Sequence, residues 1–437
     1  MKTFSVSLEV ISPMAIRLDH AASRTSSSDF IPGNTLLGGL ATIHRVLRQE
    51  QTEEFERIFL RGETLYSNLY PARLESKEVE WIEQGPVYPI PKTAQSCKRH
   101  KGFLPVRGED GDGHGVRDSL VDWALFKLGD SHSSLNRLAA LNLNKICKFD
   151  NSECKEPLDH FEGYYRRSTI NSERLIRTKN ETRLQTHTGI DRESGTVREG
   201  ILYNRQVFEE GSKFWGEVRL VDEALVTSFN SFLWAVKESH LLRLGTGRTR
   251  GMGKVGINFE IKETDTVKDR RTDFNQRTEE LNERIQKGIK DAGAGEKDSE
   301  KLKGLYFFAL TLHSPVILTD EFLRYRSRID AEALCELFGI AYDQQSELTN
   351  AYNMKSVYSN FSNRRITGWQ ELWGTPRTNE YAIDTGSVFL FQCDKDKREK
   401  VLDTLFNLEE LGIGNRRAEG FGRVCVSDPF HLRGEQK

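Results

Sequence analysis

A chain of 437 residues, 37% hydrophobic and 29% charged, has an ordinary water-soluble composition and is long enough for two or three domains. No stretch approaches the roughly 20 apolar residues of a membrane span, and MKTFSVSLEV at the start lacks the apolar core of a secretion signal, so a cytoplasmic protein with no membrane partner is expected. A formal net charge of −2 excludes a surface coated in positive charge but leaves room for a local basic stripe, and six cysteines are too few for a disulfide scaffold.

Phe4, Val6, Leu8 and Val10 alternate with polar residues and predict a strand, which Ser12-Pro13 ends. A polar loop over residues 16–29 carries Arg17, Asp19, His20 and Arg24. In FIPGNTLLGGLATIHRVLRQ, Pro32-Gly33 is a turn and Asn34 or Thr35 is a candidate cap. Leu36, Leu37, Leu40, Ile43, Val46 and Leu47 follow at helical spacing. The start of that helix and the polar loop before it form a phosphate-facing edge.

Residues 66–163 show poor periodicity, with turn signals at Pro71, Pro86, Pro89 and Pro91 and a polar GEDGDGHG loop, and read as an insertion. Cys97 and His100, in CKRH, together with Cys147 and Cys154 offer four ligands for one structural zinc. His160 or His114 is an alternative to His100, and unligated buried thiols are the competing reading. Residues 164–205 carry nine Arg or Lys against five acids and suggest a long hairpin or loop. A strand near Phe214 and a helix marked by Leu225, Phe229, Phe232, Leu233 and Val236 come next.

Residues 242–257 read LRLGTGRTRGMGKVGI: five glycines with Arg248, Arg250 and Lys254 and no acid. Glycines let a backbone approach a ligand closely, and guanidiniums are forked donors suited to phosphate. A tight turn is the plainer reading. The strand KVGINFEI follows, then a strongly charged stretch, 262–303, expected as a linker with at most a solvated helix over EELNERIQKGI.

Then the pattern restarts. LYFFALTLHSPVIL at 305–318 matches FSVSLEVISPMAI at 4–16, a helix is expected at 329–340 and a loop at 369–384, and the strand GSVFLFQC precedes a helix marked by Val401, Leu402, Leu405, Phe406 and Leu408. Residues 411–426, LGIGNRRAEGFGRVCV, repeat the Gly-rich loop and lead into the strand RVCVSDPF. Cys335, Cys393 and Cys425 fall in these patterns and read as core. A duplicated β-α-β-β-α-β order predicts an α+β chain of two ferredoxin-like units in tandem, with a large insertion in the first. The first unit spans 1–261, with its insertion at about 66–163 and its Arg-rich loop or hairpin at about 164–205, and the second spans 304–437. Gly251-Met-Gly253-Lys-Val-Gly256 has the letters of a dinucleotide fingerprint but leads into a strand, and Lys254 is followed by Val255, so no nucleotide cofactor is expected.

FIPGNTLLGGL, LGTGRTRGMGKV and LGIGNRRAEGFGRV together resemble the signatures of the CRISPR-associated RAMP superfamily, in particular its large two-domain member in type III-D effector complexes. The resemblance covers most of the chain outside the charged stretch. It implies RRM-like folds that hold CRISPR RNA, grip the repeat-derived 5′ tag, and serve RNA-guided antiviral interference. The implied partners are other RAMP subunits and a large polymerase-like subunit, with target RNA met indirectly. The matching RNA-binding positions are Gly33 and Asn34; Gly245, Gly247, Arg248, Arg250, Gly251, Gly253 and Lys254; and Gly412, Gly414, Arg416, Arg417, Gly420, Gly422 and Arg423. Tyr203, Trp369 and Trp373 are candidates to wedge between nucleotides, with buried anchors as the competing reading. Some members cut RNA from an acid before the first helix or with a histidine base, for which Asp19, Asp29, His20 and His44 are the only candidates. They form no recognisable constellation, so an architectural subunit is expected, with a metal-dependent endoribonuclease as the alternative. A general single-strand RNA-binding protein is a third reading.

Overall fold

The computed structural model describes residues 1–17, 27–72, 85–104, 112–129, 133–147, 154–168, 174–190, 193–194, 196–262, 266–292, 302–340, 352–370 and 374–433. Phe4, Val6, Leu8 and Val10 lie on one face of strand β1 (Lys2–Val10), all buried, as the alternation predicts. They pack against Leu36, Leu40 and Ile43 of helix α1 (Gly33–Leu47) and Phe229, Phe232, Leu233 and Val236 of α2 (Val226–Ser239). With β2 (Thr64–Tyr66), β3 (Lys213–Leu220) and β4 (Val255–Ile261), β1 forms an antiparallel sheet in the order β4-β1-β3-β2. The strand Tyr70–Ala72 pairs with the far end of β3.

The charged stretch departs from expectation. Residues 267–291 form one long helix, α3 (Val267–Asp291), started by a capping box of Thr266 and Asp269. Phe274, Leu281, Ile285 and Ile289 are buried along one face, so α3 belongs to a core and is no solvated tether. Only about one apolar residue per turn carries that face, and the charges around it mask the periodicity.

Strands β5 (Leu305–Leu312), β6 (Lys355–Asn360), β7 (Val388–Asp394) and β8 (Val424–Val426), with helices α4 (Ala331–Leu337) and α5 (Arg398–Leu411), follow α3. Their sheet runs β6-β7-β5-β8. Read from β8, that is fourth, first, third, second, the same order as the first sheet. The expected strand RVCVSDPF is shorter than predicted, because Asp428 caps a helical turn at Pro429–Leu432.

The second sheet is covered on both faces. Tyr306, Phe308 and Leu310 of β5 face α4 and α5, and Phe307 and Ala309 face α3 and two helices of the inserted region, Leu120–Leu128 and Ser134–Leu143. The inserted region is therefore more ordered than its periodicity suggests. It holds a small sheet of Val116–Asp118, Ala94–Cys97 and Leu158–His160, and another of Val87–Pro89, Tyr164–Arg167 and Leu175–Thr178. The Arg-rich stretch continues into a long two-stranded hairpin, Thr182–Ile190 paired with Val197–Phe208.

The two sheets meet across a polar seam. Trp215, Glu217 and Arg219 occupy the face of β3 turned away from α1 and α2. The Glu217 carboxylate, with 12% of its side chain exposed, accepts from Lys262 at 2.8 Å, Arg219 at 3.1 Å and Arg423 at 3.0 Å. Burial alone would raise its pKa, but the three cations outweigh burial and hold it well below the usual carboxylate range. Burial and the neighbouring Arg219 push the Arg423 guanidinium down to about 10, so it remains cationic at neutral pH. Arg219 also donates to the carbonyls of Glu409 and Glu410 at the end of α5.

Glu217→Gln leaves three cations converged on a neutral group, and the expected loss at neutral pH is about 3–5 kcal/mol. A carboxyl depressed on folding stabilises above its unfolded pKa of about 4.3 and loses that contribution as pH falls toward the folded value. The gap between wild-type and variant denaturation midpoints should therefore be wide at pH 7 and should narrow steadily below pH of about 4. An equal gap across that range would show that the carboxylate is not the stabilising group.

Candidate nucleic-acid interface

Both Gly-rich loops share one backbone design. In the first, Gly245, Gly247, Gly251 and Gly253 have φ of 75–80°, and Arg248–Arg250 make a single 3-10 turn between two of them. The Gly253 N–H donates to the Pro13 carbonyl at 2.9 Å, the Lys254 N–H to Ser12 Oγ at 2.9 Å, and the Thr246 N–H to the Ala15 carbonyl at 3.0 Å. In the second loop the Gly422 N–H donates to the Pro315 carbonyl at 2.9 Å, the Arg423 N–H to Ser314 Oγ at 2.9 Å, and the Asn415 N–H to the Ile317 carbonyl at 2.9 Å. The repeated Ser-Pro after each first strand is thus the receiving half of a lock.

This geometry changes the reading of the glycines. A Cβ on Gly245 would stand 2.3 Å from the Ala15 carbonyl oxygen, and one on Gly253 would stand 2.0 Å from that of Leu244. Gly414 and Gly422 would meet Ile317 and Ile413 at 2.3 and 2.1 Å. These four positions need glycine for the chain to pack on itself. Around Gly251, by contrast, a Cβ would meet nothing within 4 Å.

The charges of the two loops differ. In the first, Arg250 donates to Tyr203 Oη at 3.3 Å, and Tyr203 stacks on His187 in the long hairpin, with ring centroids 5.2 Å apart. Lys254 bridges to Arg243 through the backbone. Arg205 sits close by, and burial, Arg17 and Arg250 all lower its pKa, a sign of the positive field along this edge. In the second loop the position equivalent to Arg250 is Glu419. Arg416, left-handed at φ 59°, pairs with Glu419 at 2.7 Å and with Glu380, while Arg377 reaches the same Glu419 at 3.0 Å. Arg417 turns back toward the carbonyls of Leu411 and Gly412, and Arg423 is held by Glu217. Contrary to expectation, Arg416 and Arg423 are engaged in ion pairs within the chain.

The start of α1 lies against this second loop. Pro32 is the N-cap, with Asn34 and Thr35 inside the first turn rather than capping it. The Gly33 N–H donates to Asn68 Oδ1 at 2.9 Å, and a Cβ on Gly33 would lie 2.8 Å from the Cα of Gly420. Gly33 is therefore a joint between the two sheets' units. Apart from that Asn68 bond, the N-cap residue gives no side-chain cap and the first turn of α1 has no acidic residue to offset its positive end.

A cleft of about 390 Å³ opens at this place. Its walls are the start of α1, the first Gly-rich loop, and the hairpin of Asn363–Ile366 with Glu380–Ile383. Arg17, Arg243, Arg248, Arg364, Arg365 and Arg377 line it, with Phe30 and Phe421, and among the described residues the lining contains no acid. Asp384, at 3.0 Å from Arg364, and Glu419 offset two of these charges from outside the lining. Sequence reasoning missed Arg364 and Arg365. The adjacent arginines in NRRITG were the available signal, but only the tertiary fold brings them to a loop more than a hundred residues away.

The remaining candidates separate clearly. His44 is buried against Phe55, Phe59 and Phe232 and pairs with Glu54 at 3.0 Å, so it is a packed core histidine. Asp29 is exposed. Asp19, His20, Trp373 and the side chain of Trp369 lie outside the described residues. Cys335, Cys393 and Cys425 are buried. Cys97, Cys147 and Cys154 do converge, but with His114 and not His100; the His100 ring stacks on that of His114, centroids 4.2 Å apart, and its Nδ1 lies 3.0 Å from Asp112.

The family model of the RAMP superfamily matches residues 7–256, from β1 through the first Gly-rich loop. That is more than half of the chain, and the protein belongs to the RAMP superfamily. Among solved structures it is similar to a chain of the type III-B Cmr-beta complex bound to cognate target RNA and AMPPnP, with 10% identity, 92% of this chain and 93% of that chain covered, and a TM-score of 0.35. A second, Cmr-beta bound to cognate target RNA, matches at 11% identity over 91% and 89% of the two chains with a TM-score of 0.34. A chain of the apo state matches at 13% identity over 60% of this chain and 98% of that one, with a TM-score of 0.30. No curated protein sequence matches significantly. No helix among the described residues is long and apolar enough to cross a membrane.

The lock predicts unequal glycine sensitivities. Gly251→Ala should cost only the left-handed penalty, about 1–2 kcal/mol. Gly253→Ala and Gly420→Ala, which add a clash with backbone or with Asn68, should lower the denaturation midpoint substantially further. Equal shifts in all three would refute the packing account.

Proposed function

We propose that the protein is the CRISPR RNA-binding subunit of a type III effector, of the III-D kind, gripping the repeat-derived 5′ tag and helping other RAMP subunits and a large polymerase-like subunit assemble on it. In this reading residues 1–261 and 304–437 are tandem ferredoxin-like units, α3 is a shared support, and the second Gly-rich loop is their joint. Membership of the RAMP superfamily and the repeated strand order support it. The observation that carries it is the cleft, where six arginines and the start of α1 converge with no acid among the described lining residues. Single-stranded RNA is held by phosphate contacts to such cations and by bases stacked on accessible rings or guanidinium planes.

The measurement is guide-RNA affinity of purified, folded variants across a salt series. Replacing Arg248 and Arg365 with Ala should weaken binding and reduce the salt slope by roughly 0.7 for each phosphate no longer neutralised, so by about 1.4 for the pair. Arg417→Ala should leave the slope near wild type, because that side chain turns back toward the carbonyls of Leu411 and Gly412 and is not part of the cleft lining. Unchanged affinity and slope in the cleft variants, or weakened binding confined to the second loop, would overturn the assignment.

A further inference from the structure

The inserted region holds a cluster of thiols and one imidazole that is independent of the RNA-binding reading. The Cys97 and Cys154 sulfurs are 3.7 Å apart, and the Cys147 sulfur is 3.4 Å from His114 Nδ1. All four ligand atoms lie within 4.8 Å of one another. In a tetrahedral site with Zn–S of about 2.3 Å and Zn–N of about 2.0–2.1 Å, two sulfurs stand about 3.8 Å apart and a sulfur and nitrogen about 3.5–3.6 Å. The observed edges match that figure. The His100 backbone N–H also donates to the Cys97 sulfur at 3.4 Å, the kind of hydrogen bond that supports a metal-bound thiolate.

The local fold explains what such an ion would do. Cys97 ends the strand Ala94–Cys97, His114 leads into Val116–Asp118, and Cys154 leads into Leu158–His160. These strands are three or four residues long, too short to hold a sheet by ladder bonds alone. Cys147 brings in the end of the helical pair that follows. Immediately beyond Val116–Asp118, the helix Leu120–Leu128 sets Leu120, Ala124 and Leu125 against α3 and the outer face of the second sheet. Trp123 stacks on Tyr358 of β6, and Asp118 pairs with the buried His431 at 3.0 Å. The cluster therefore sits at the root of the segment that clasps the second unit.

We propose that Cys97, His114, Cys147 and Cys154 bind one zinc ion that fixes the small sheet and so holds the helix Leu120–Leu128 on the second sheet. Three thiolates and an imidazole are a soft donor set suited to zinc, and four protein ligands make a closed, structural site.

The test uses the full-length protein purified without added metal or chelator. Elemental analysis should find about one zinc per chain. His114→Ala and Cys154→Ser should lose most of it, whereas His100→Ala should retain it. Reloading with cobalt should give the visible bands of a tetrahedral site and thiolate-to-cobalt charge transfer, weakened in Cys147→Ser. Stripping zinc from the wild type should raise hydrogen exchange in 94–97 and 120–128 and leave β1 and β4 protected. Folded wild type without stoichiometric zinc, with iron in its place, or with zinc lost in His100→Ala and kept in His114→Ala would overturn the site. Unchanged exchange at 120–128 after stripping would overturn the clasp.

Discussion

One largely buried carboxylate, Glu217, fixes how the two halves of this protein meet. A carboxylate taken out of water is costly unless cations and hydrogen bonds replace the lost solvation. Its partners come from three places: Arg219 in the same strand, Lys262 just beyond β4, and Arg423 from the second Gly-rich loop. The pairing is a constraint on geometry as much as a source of stability. Sliding one sheet along the other by one residue would strip Glu217 of one of its three cations and leave the buried Arg423 guanidinium without that carboxylate. Ser5 lies opposite Glu217 in the register of β1 and β3, so the polar seam reaches the central strand of the first sheet.

That seam accounts for the divergence of two loops that share a backbone. Each folds back on the Ser-Pro after its own first strand, and each needs glycine where a Cβ would strike a carbonyl. The difference lies in the 3-10 turn, Arg248–Arg250 in one and Arg417–Glu419 in the other. Exchanging arginine for glutamate at its last position gives the second loop an internal counterion. With Glu380 and Glu217 nearby, its arginines become ties within the chain. The first loop has no acid, and its Arg248 lines the cleft while Arg250 reaches Tyr203 of the long hairpin.

Much of the fold was legible in the sequence, because burial on one face imposes a period that survives in the letters. The first strand, both helices on the first sheet and the repetition of the pattern were all visible in this way. What escaped had physical reasons. Helix α3 carries so few apolar residues that composition suggested a tether, yet one per turn suffices when the facing surface is large. The cysteine positions of the inserted region can be read, but that His114 and not His100 joins Cys97, Cys147 and Cys154 depends on how a loop folds back. The cleft was half legible, since Arg248 and the start of α1 announce themselves locally and Arg364 and Arg365 do not.

The cleft and the seam are not independent. Phe421 and Pro315 from the second unit line the cleft beside Asn34 and Thr35 from the first, and Gly33 touches Gly420 at its floor. Arg377 faces the cleft and shares Glu419 with Arg416, so the cleft's charge is set partly by the joint. A polyanion lying there would draw on cations of both units at once and would favour the arrangement in which Glu217 is fully paired. By linkage, whatever binds that arrangement stabilises it. A change of sign at one position between two loops of the same backbone thus separates a cation-lined cleft from the brace that holds its two walls together.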